Sequence, residues 1–280
     1  MFNIGCKYKG ISKKLKLKKN IYMRFYLLLA GLLMSLMSHA QEEYFIIGYY
    51  MKYDLDSPLE SKDVLYINKN QEKSFYQKGT LNNREGIKPR EKRENEIIVN
   101  SITKADQFNY FNFKEKKLVS RIAPIESVYM VEEEIPLMNW ELVDETKVIK
   151  EIELHKAVCS FRGRNYTVWY SLEYPIHIGP WKFNGLPGLA FEITEDQSNY
   201  SWTLTSIKKG MLKAFPLRYD LKRGAISLKE YAERVEYELE HMNDGFLARL
   251  PKEIEIISSE SDNSRFKEYD LERKYEWENQ

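Results

Sequence analysis

Short runs in which Val, Ile, Tyr, Phe and Thr alternate with polar residues recur along this chain, separated by polar turns. That is the period of half-buried strands. The runs predict strands at Tyr44 to Tyr53, Asp63 to Asn68, Ser74 to Lys78, Glu96 to Ile102, Gln107 to Phe113, Leu118 to Ile122, Ser127 to Val131, Val148 to Phe161, Asn165 to Glu173, Gly188 to Thr194 and Tyr200 to Ile207. Only one segment reads as helix. Ser227 and Glu230 make a capping box, and Leu228, Tyr231, Val235, Leu239, Met242, Phe246 and Leu250 follow at steps of three or four, up to a stop at Pro251 or at Asn243-Asp244-Gly245. The expected fold is mainly β, of the α+β class: one curved antiparallel sheet or half-barrel with a C-terminal amphipathic helix packed on it.

The pattern also divides the chain. Residues 1–40 carry seven lysines, then Arg24, then the apolar run Phe25 to Met37 and the small residues Ser38-His39-Ala40. This is signal-peptide grammar, too short to span a bilayer as a helix, with cleavage expected after Ala40 and a compact alternative start at Met23. Residues 41–257 read as a single β-rich domain. Within it, residues 84–96 hold nine charges of mixed sign in thirteen positions and read as an exposed insertion. Residues 258–280 read as a polar tail with a contact or last strand near Tyr275 and Trp277.

Charge changes the picture once the leader is set aside. Residues 1–40 hold eight of the 43 basic residues and none of the 42 acidic ones, so the remainder carries 35 − 42 = −7. An acidic chain lacks the broad basic footprint of nucleic-acid binding, and no second apolar run approaches membrane-spanning length. Cys159 is the one cysteine left after Cys6 departs with the leader, so no intramolecular disulfide is expected.

The sharpest local expectation is the hairpin Val148 to Glu173, with Gly163-Arg164 as a two-residue type II′ loop and Arg162 opposite Asn165. One face then receives Ala157, Cys159, Phe161, Tyr166, Val168 and Tyr170, which buries Cys159 among aromatics as an inert thiol.

The run GPWKFNGLPGLAFEI, Gly179 to Ile193, packs three turn signals into ten residues: Gly179-Pro180, Asn184-Gly185 and Pro187-Gly188. Asn184-Gly185 suits two successive positive φ values and Pro187-Gly188 the centre of a type II turn. Trp181 and Phe183 plug a sheet end while Leu189, Phe191 and Ile193 continue inward. The expected structural motif is therefore Gly179, Pro180, Trp181, Gly185, Leu186, Pro187, Gly188 and Leu189, with a ligand-contacting lip as the rival reading. Neither GxGxxG nor GxxxxGK occurs there, so the glycines match no phosphate cradle.

Together with Trp140, Glu145 to Lys147, Lys156-Ala157, Phe161 to Arg164, Tyr166 to Tyr170 and Tyr174 to Ile176, that run resembles the GLPGLI family of exported Gram-negative bacterial proteins. Ala190 stands where the family's motif has Ile. Glu151, Ile152 and Leu154 replace a Gly-Gly-Tyr-x-Cys pattern, so no role for that cysteine carries over. The resemblance implies export to the periplasm or outside, and a partner resembling an outer-membrane receptor. It implies no established chemistry.

Catalytic signals are sparse. His155, His177 and His241 lack metal-ligand spacing, and no GxSxG elbow appears. A polar site, if present, is expected at Trp169, Tyr170, His177 and Trp181, with Asp196 nearby. Three functions compete: a non-catalytic exported protein that binds an apolar small molecule or an outer-membrane partner, an envelope hydrolase using His177 as acid or base, and a purely structural or accessory domain. None calls for a cofactor or metal.

Overall fold

In the computed structural model, the described residues are 22, 26, 41–55, 58–83, 105–125, 127–241 and 270–279. The leader, the insertion at 84–96, the strand expected at Glu96 to Ile102, most of the tail, and Met242, Phe246, Leu250 and Pro251 lie outside them. The described residues from Glu43 onward form one compact unit.

The alternating runs form strands β1 (Glu42–Tyr53), β2 (Leu59–Asn68), β3 (Lys73–Gln77), β4 (Asn82–Asn83), β5 (Phe108–Asn112), β6 (Lys117–Ile122), β7 (Tyr129–Glu134), β8 (Glu141–Ile149), β9 (Ile152–Phe161), β10 (Arg164–Ser171), β11 (Leu189–Glu195), β12 (Tyr200–Leu212) and β13 (Ala225–Ser227). They make one sheet, in the order β13-β7-β6-β5-β3-β2-β1-β12-β11-β10-β9-β8, with β4 beside β2. The sheet curves, and its concave side carries the main core: Tyr49 and Met51 of β1, Tyr76 of β3, Ala157 and Cys159 of β9, Tyr166 and Val168 of β10 and Trp202 of β12. Alternation along each strand sends these residues to that one face.

The helix α1 (Leu228–His241) forms where the periodicity places it. The Ser227 hydroxyl accepts from the Glu230 N–H at 3.1 Å, closing the expected cap. Leu228, Tyr231, Val235 and Leu239 are buried in a second cluster with Val131, against Ile122, Tyr129, Tyr275 and Trp277.

Four expectations change. The sheet is antiparallel except at one end, where β13 pairs with β7 in parallel. A long connection makes that possible: residues 213–224 cross the convex face, with Phe215 on Tyr44, Phe75 and Tyr110, and Tyr219 on Phe108. The run Val148 to Phe161 is two strands, folded at Lys150-Glu151, where φ is 48° and 69°. Neither residue is a turn former, so the reversal left no mark in composition.

The third change is in the hairpin register. Tyr166 faces Cys159 and Arg164 faces Phe161, so the loop is Arg162-Gly163 and the pairing is two residues off the expected one. Both loop residues have positive φ, 45° and 79°, which is the type I′ geometry. A shift of two preserves the faces, so Cys159 is still buried, and burial pushes its thiol up to about 11. The fourth lies in the turn-rich run: Gly185 has φ 87°, but neither Asn184 nor Gly188 is positive. Gly188 serves close approach instead. A Cβ there would sit 2.1 Å from the Ser171 carbonyl oxygen. Phe191 is skipped at a bulge, where Tyr170 pairs Ala190 and Trp169 pairs Glu192, and it packs on Tyr174.

The two glycines therefore predict different penalties. Gly188→Ala must push backbone apart and is expected to cost about 3 kcal/mol or more, beyond ordinary overpacking. Gly185→Ala meets only the Trp140 ring, at 3.8 Å, and is expected to cost about 1–2 kcal/mol for its positive φ. Urea denaturation of both variants checks the order, and a neutral Gly188→Ala would contradict the close approach.

Candidate functional site

A curved open sheet cannot cover its own concave face, and here two irregular segments do so. The first is the turn-rich run. Phe183 N–H donates to the Pro180 carbonyl and Gly179 N–H to the Phe183 carbonyl, which folds Pro180 to Phe183 into a tight loop with Trp181 at φ 50°. That loop presses Trp181 flat on Trp202, 6.2 Å between centroids, and Phe183 edge-on to Tyr166 and Trp202. The second is the segment from Asp270, ending in a 3₁₀ turn at Glu276–Asn279.

Charged side chains join the two segments. Lys182, 1% exposed, lies between the plugging aromatics. Its ammonium donates to Glu133 Oε1 at 2.5 Å and to both oxygens of Glu272 at 2.8 Å. Arg162 reaches Glu133 Oε2 at 2.6 Å, Glu276 at 3.0 Å and also Glu272. Arg164, fully buried on the hairpin, pairs with Glu195 at 2.9 Å and donates to the Asp270 carbonyl from Nε and Nη2 at 2.8 and 2.6 Å. Burial opposes the charge on Glu133, but Lys182 and Arg162 outweigh it, so its carboxyl sits below the ordinary range. A buried charge survives only when paired in this way.

Between the plug and the wall remains a cavity of about 90 Å³. Met51, Trp181 and Trp202 line it with apolar surface, and Tyr53, Lys78 and Asp270 with polar groups. The Tyr53 hydroxyl is buried without a hydrogen-bond partner. Lys78 is partly buried, its ammonium 5.0 Å from the Tyr53 ring centroid. Burial pulls its pKa down, against the opposing influence of Asp63 and Asp270. Burial, with the Glu272 charge adding to it, pushes the Asp270 carboxyl from 3.8 up to about 6. A larger groove of about 300 Å³ runs between α1 and the last turn, lined by Val235, Leu239, Tyr275 and Trp277 among charged residues.

The residues expected at a polar site do not meet. Trp169 lies on the convex face, flanked by the ammonium groups of Lys147 at 4.3 Å and Lys156 at 5.9 Å, which pair with Glu192 and Glu145. Tyr170, on the opposite face, is buried near His155. His177 is exposed, its Nδ1 donating to the Leu186 carbonyl at 2.7 Å, which steadies the Asn184-Gly185 turn. No carboxylate partners that ring among the described residues. Asp196 is exposed at a strand end. Trp181 alone of this set reaches the cavity. The polar residues that do reach it, among them Tyr53, Lys78, Arg121, Lys182, Asp270 and Glu272, escaped sequence reading. Lys182 had one signal, a lysine between two aromatics that the turns drive inward.

Among the described residues no group of three or more His, Cys, Asp or Glu could hold a metal ion, and no helix is long and apolar enough to cross a membrane. No protein-family model and no curated protein matches the chain. Solved structures resemble it partially. One crystal form of PNGF-II is 16% identical over 71% of this chain at a TM-score of 0.41, and a second form gives 16%, 70% and 0.39. The chain spans about a third of PNGF-II, 34% and 33% in the two forms. A LolA superfamily protein from Nitrosomonas europaea is 7% identical at a TM-score of 0.24, over 63% of this chain and 88% of its own.

Two variants test the charged interior. Lys182→Met leaves Glu133 and Glu272 underpaired and is expected to cost roughly 3–5 kcal/mol in urea denaturation; adding Glu272→Gln should recover part of the loss. For Asp270 the folded state holds its proton up to about pH 6, while the unfolded chain releases it near 3.8. The resulting stabilisation is full below the lower value and lost as pH rises through the upper one. Asp270→Asn should therefore melt higher than the parent at pH 8, with the difference shrinking through pH 5 and gone below about pH 4.

Proposed function

We propose that this chain is a non-catalytic exported protein of the GLPGLI type that works by binding, taking an amphiphilic small molecule on the concave side of its sheet. The observation that carries the reading is the cavity where the Trp181–Trp202 wall meets the unpartnered Tyr53 hydroxyl and the Lys78 ammonium. An apolar body fits the wall, and a polar end fits the donors. The ligand expected from sequence is apolar throughout, and the donors refine that expectation. At about 90 Å³ the space lies below the 300–1,000 Å³ of ordinary ligand pockets. It suits an end group, with a longer body requiring the segment from Asp270 to shift. Export rests on the leader grammar of residues 1–40, and an outer-membrane partner on the family resemblance.

The processed protein, equilibrated with an organic extract of cell envelope and inspected by native mass spectrometry, is expected to retain one amphiphile per chain. Retention of nothing, repeated with extracts from several growth conditions, would remove the binding reading in favour of an accessory role.

A further inference from the structure

Among the described residues, five cationic side chains turn toward the interior or line the cavity; three have carboxylate partners, and a fourth, Arg121, donates to the Asp106 carbonyl and lies over the Tyr219 ring. Arg162 and Lys182 share Glu133 and Glu272, and Arg164 has Glu195. Lys78 has no ion pair among the described residues. Asp63 and Asp270 act on it only at a distance: the Asp63 carboxylate, 1% exposed, has Oδ1 engaged by the Gly79 N–H at 2.7 Å and Oδ2 by the Tyr76 hydroxyl, and Asp270 Oδ1 accepts from the Glu272 N–H at 3.2 Å. Trp202 in turn donates to the Tyr76 oxygen at 3.2 Å, which fixes the relay.

Beside Lys78 is a buried donor without a partner. Tyr53 is 7% exposed and lines the same cavity, and its hydroxyl has no partner. Burial, then the Asp63 charge, push that phenol well up, so it stays protonated and able to donate. Buried polar groups are ordinarily hydrogen-bonded, and an exception calls for a missing partner. Here such a hydroxyl lies beside an ammonium that has no ion pair.

We infer that the cavity takes a carboxylate, whose oxygens accept from Lys78 Nζ and Tyr53 Oη while its first carbons lie on Met51, Trp181 and Trp202. The inference rests on the binding reading and gives it a chemical class. With the Asp270 carboxyl on the same wall, one added negative charge is tolerated better than more, which favours a monoanionic carboxylate over a phosphate carrying between one and two. Both a short free acid and the end of a longer alkyl acid present this group, since the space holds only a few heavy atoms.

Isothermal titration of the processed full chain at pH 7 with propionate, propionamide, octanoate and inorganic phosphate separates the possibilities. Propionate should bind at one per chain. Propionamide, which keeps the shape without the charge, should be weaker by about tenfold or more, as expected for loss of a charge-assisted bond. Octanoate binding more tightly than propionate would assign the site to a longer acid, and equal or weaker binding to a short one. Lys78→Met should abolish the preference for propionate over propionamide, and Lys78→Arg should keep it. Tyr53→Phe should weaken propionate several-fold with an unchanged melting temperature, because the hydroxyl has no protein partner to lose. Near-UV circular dichroism checks that each variant keeps its aromatic packing. Propionamide or phosphate matching propionate, or full propionate affinity in a folded Lys78→Met, overturns the inference. Failure of both acids at millimolar concentration overturns it too, while the envelope-extract experiment judges the binding reading separately.

Discussion

Burying a charge without a partner costs several kcal/mol, and that constraint organises this interior. Lys182 enters the concave face because the turns around it drive Trp181 and Phe183 inward, and its ammonium must then be met. Glu133 meets it from β7 and Glu272 from the C-terminal segment, while Arg162 at the tip of the β9–β10 hairpin bridges the same two carboxylates. Four parts of the chain, far apart in sequence, are thereby bound to one point. Apolar packing alone would leave the C-terminal segment several ways to lie across the sheet. Arg164, by gripping the Asp270 carbonyl through two nitrogens, selects one.

The same arrangement explains why the most recognisable part of the sequence is architectural. Gly179 to Leu189 supplies the first plug of the concavity, Gly188 lets its exit pass against Ser171, and His177 ties Leu186 back to the turn. Lys182 apart, the polar character of the cavity comes from elsewhere. Tyr53 and Lys78 sit at the ends of β1 and β3, and Asp270 lies in the segment that closes the space. The most recognisable run and most of the cavity's polar lining thus fall on different residues.

How much could be read in advance depends on how local each signal is. Strand existence and the capped helix were legible because alternation and capping are properties of neighbouring residues. The faces of the β9–β10 hairpin were legible for the same reason, although the register was not: Arg162 takes a positive φ that its sequence does not advertise, held there by Glu133, Glu272 and Glu276. The turn at Lys150-Glu151 was hidden in the same way. Long-range placement left no local trace at all. Asp270 and Glu272 belong to a polar stretch of the kind that ordinarily stays in water, and only the cations waiting inside the sheet give them a reason to enter. Tyr275 and Trp277, the two aromatics in that stretch, were the one hint that it docks.

Because the ribosome makes residues 270–278 after every strand, biosynthetic order separates sheet formation from closure. A nascent chain that has completed β13 can pair its strands, yet Lys182, Arg162 and Arg164 still lack Glu272 and the Asp270 carbonyl. Contacts that span about ninety to a hundred and ten positions, such as Lys182 to Glu272 and Arg162 to Glu272, also form slowly, since the intervening chain must be brought together first. The final fold is therefore withheld until residues 270–278 have been made, and a chain cut short of Asp270 would keep a hydrated, protease-accessible interior.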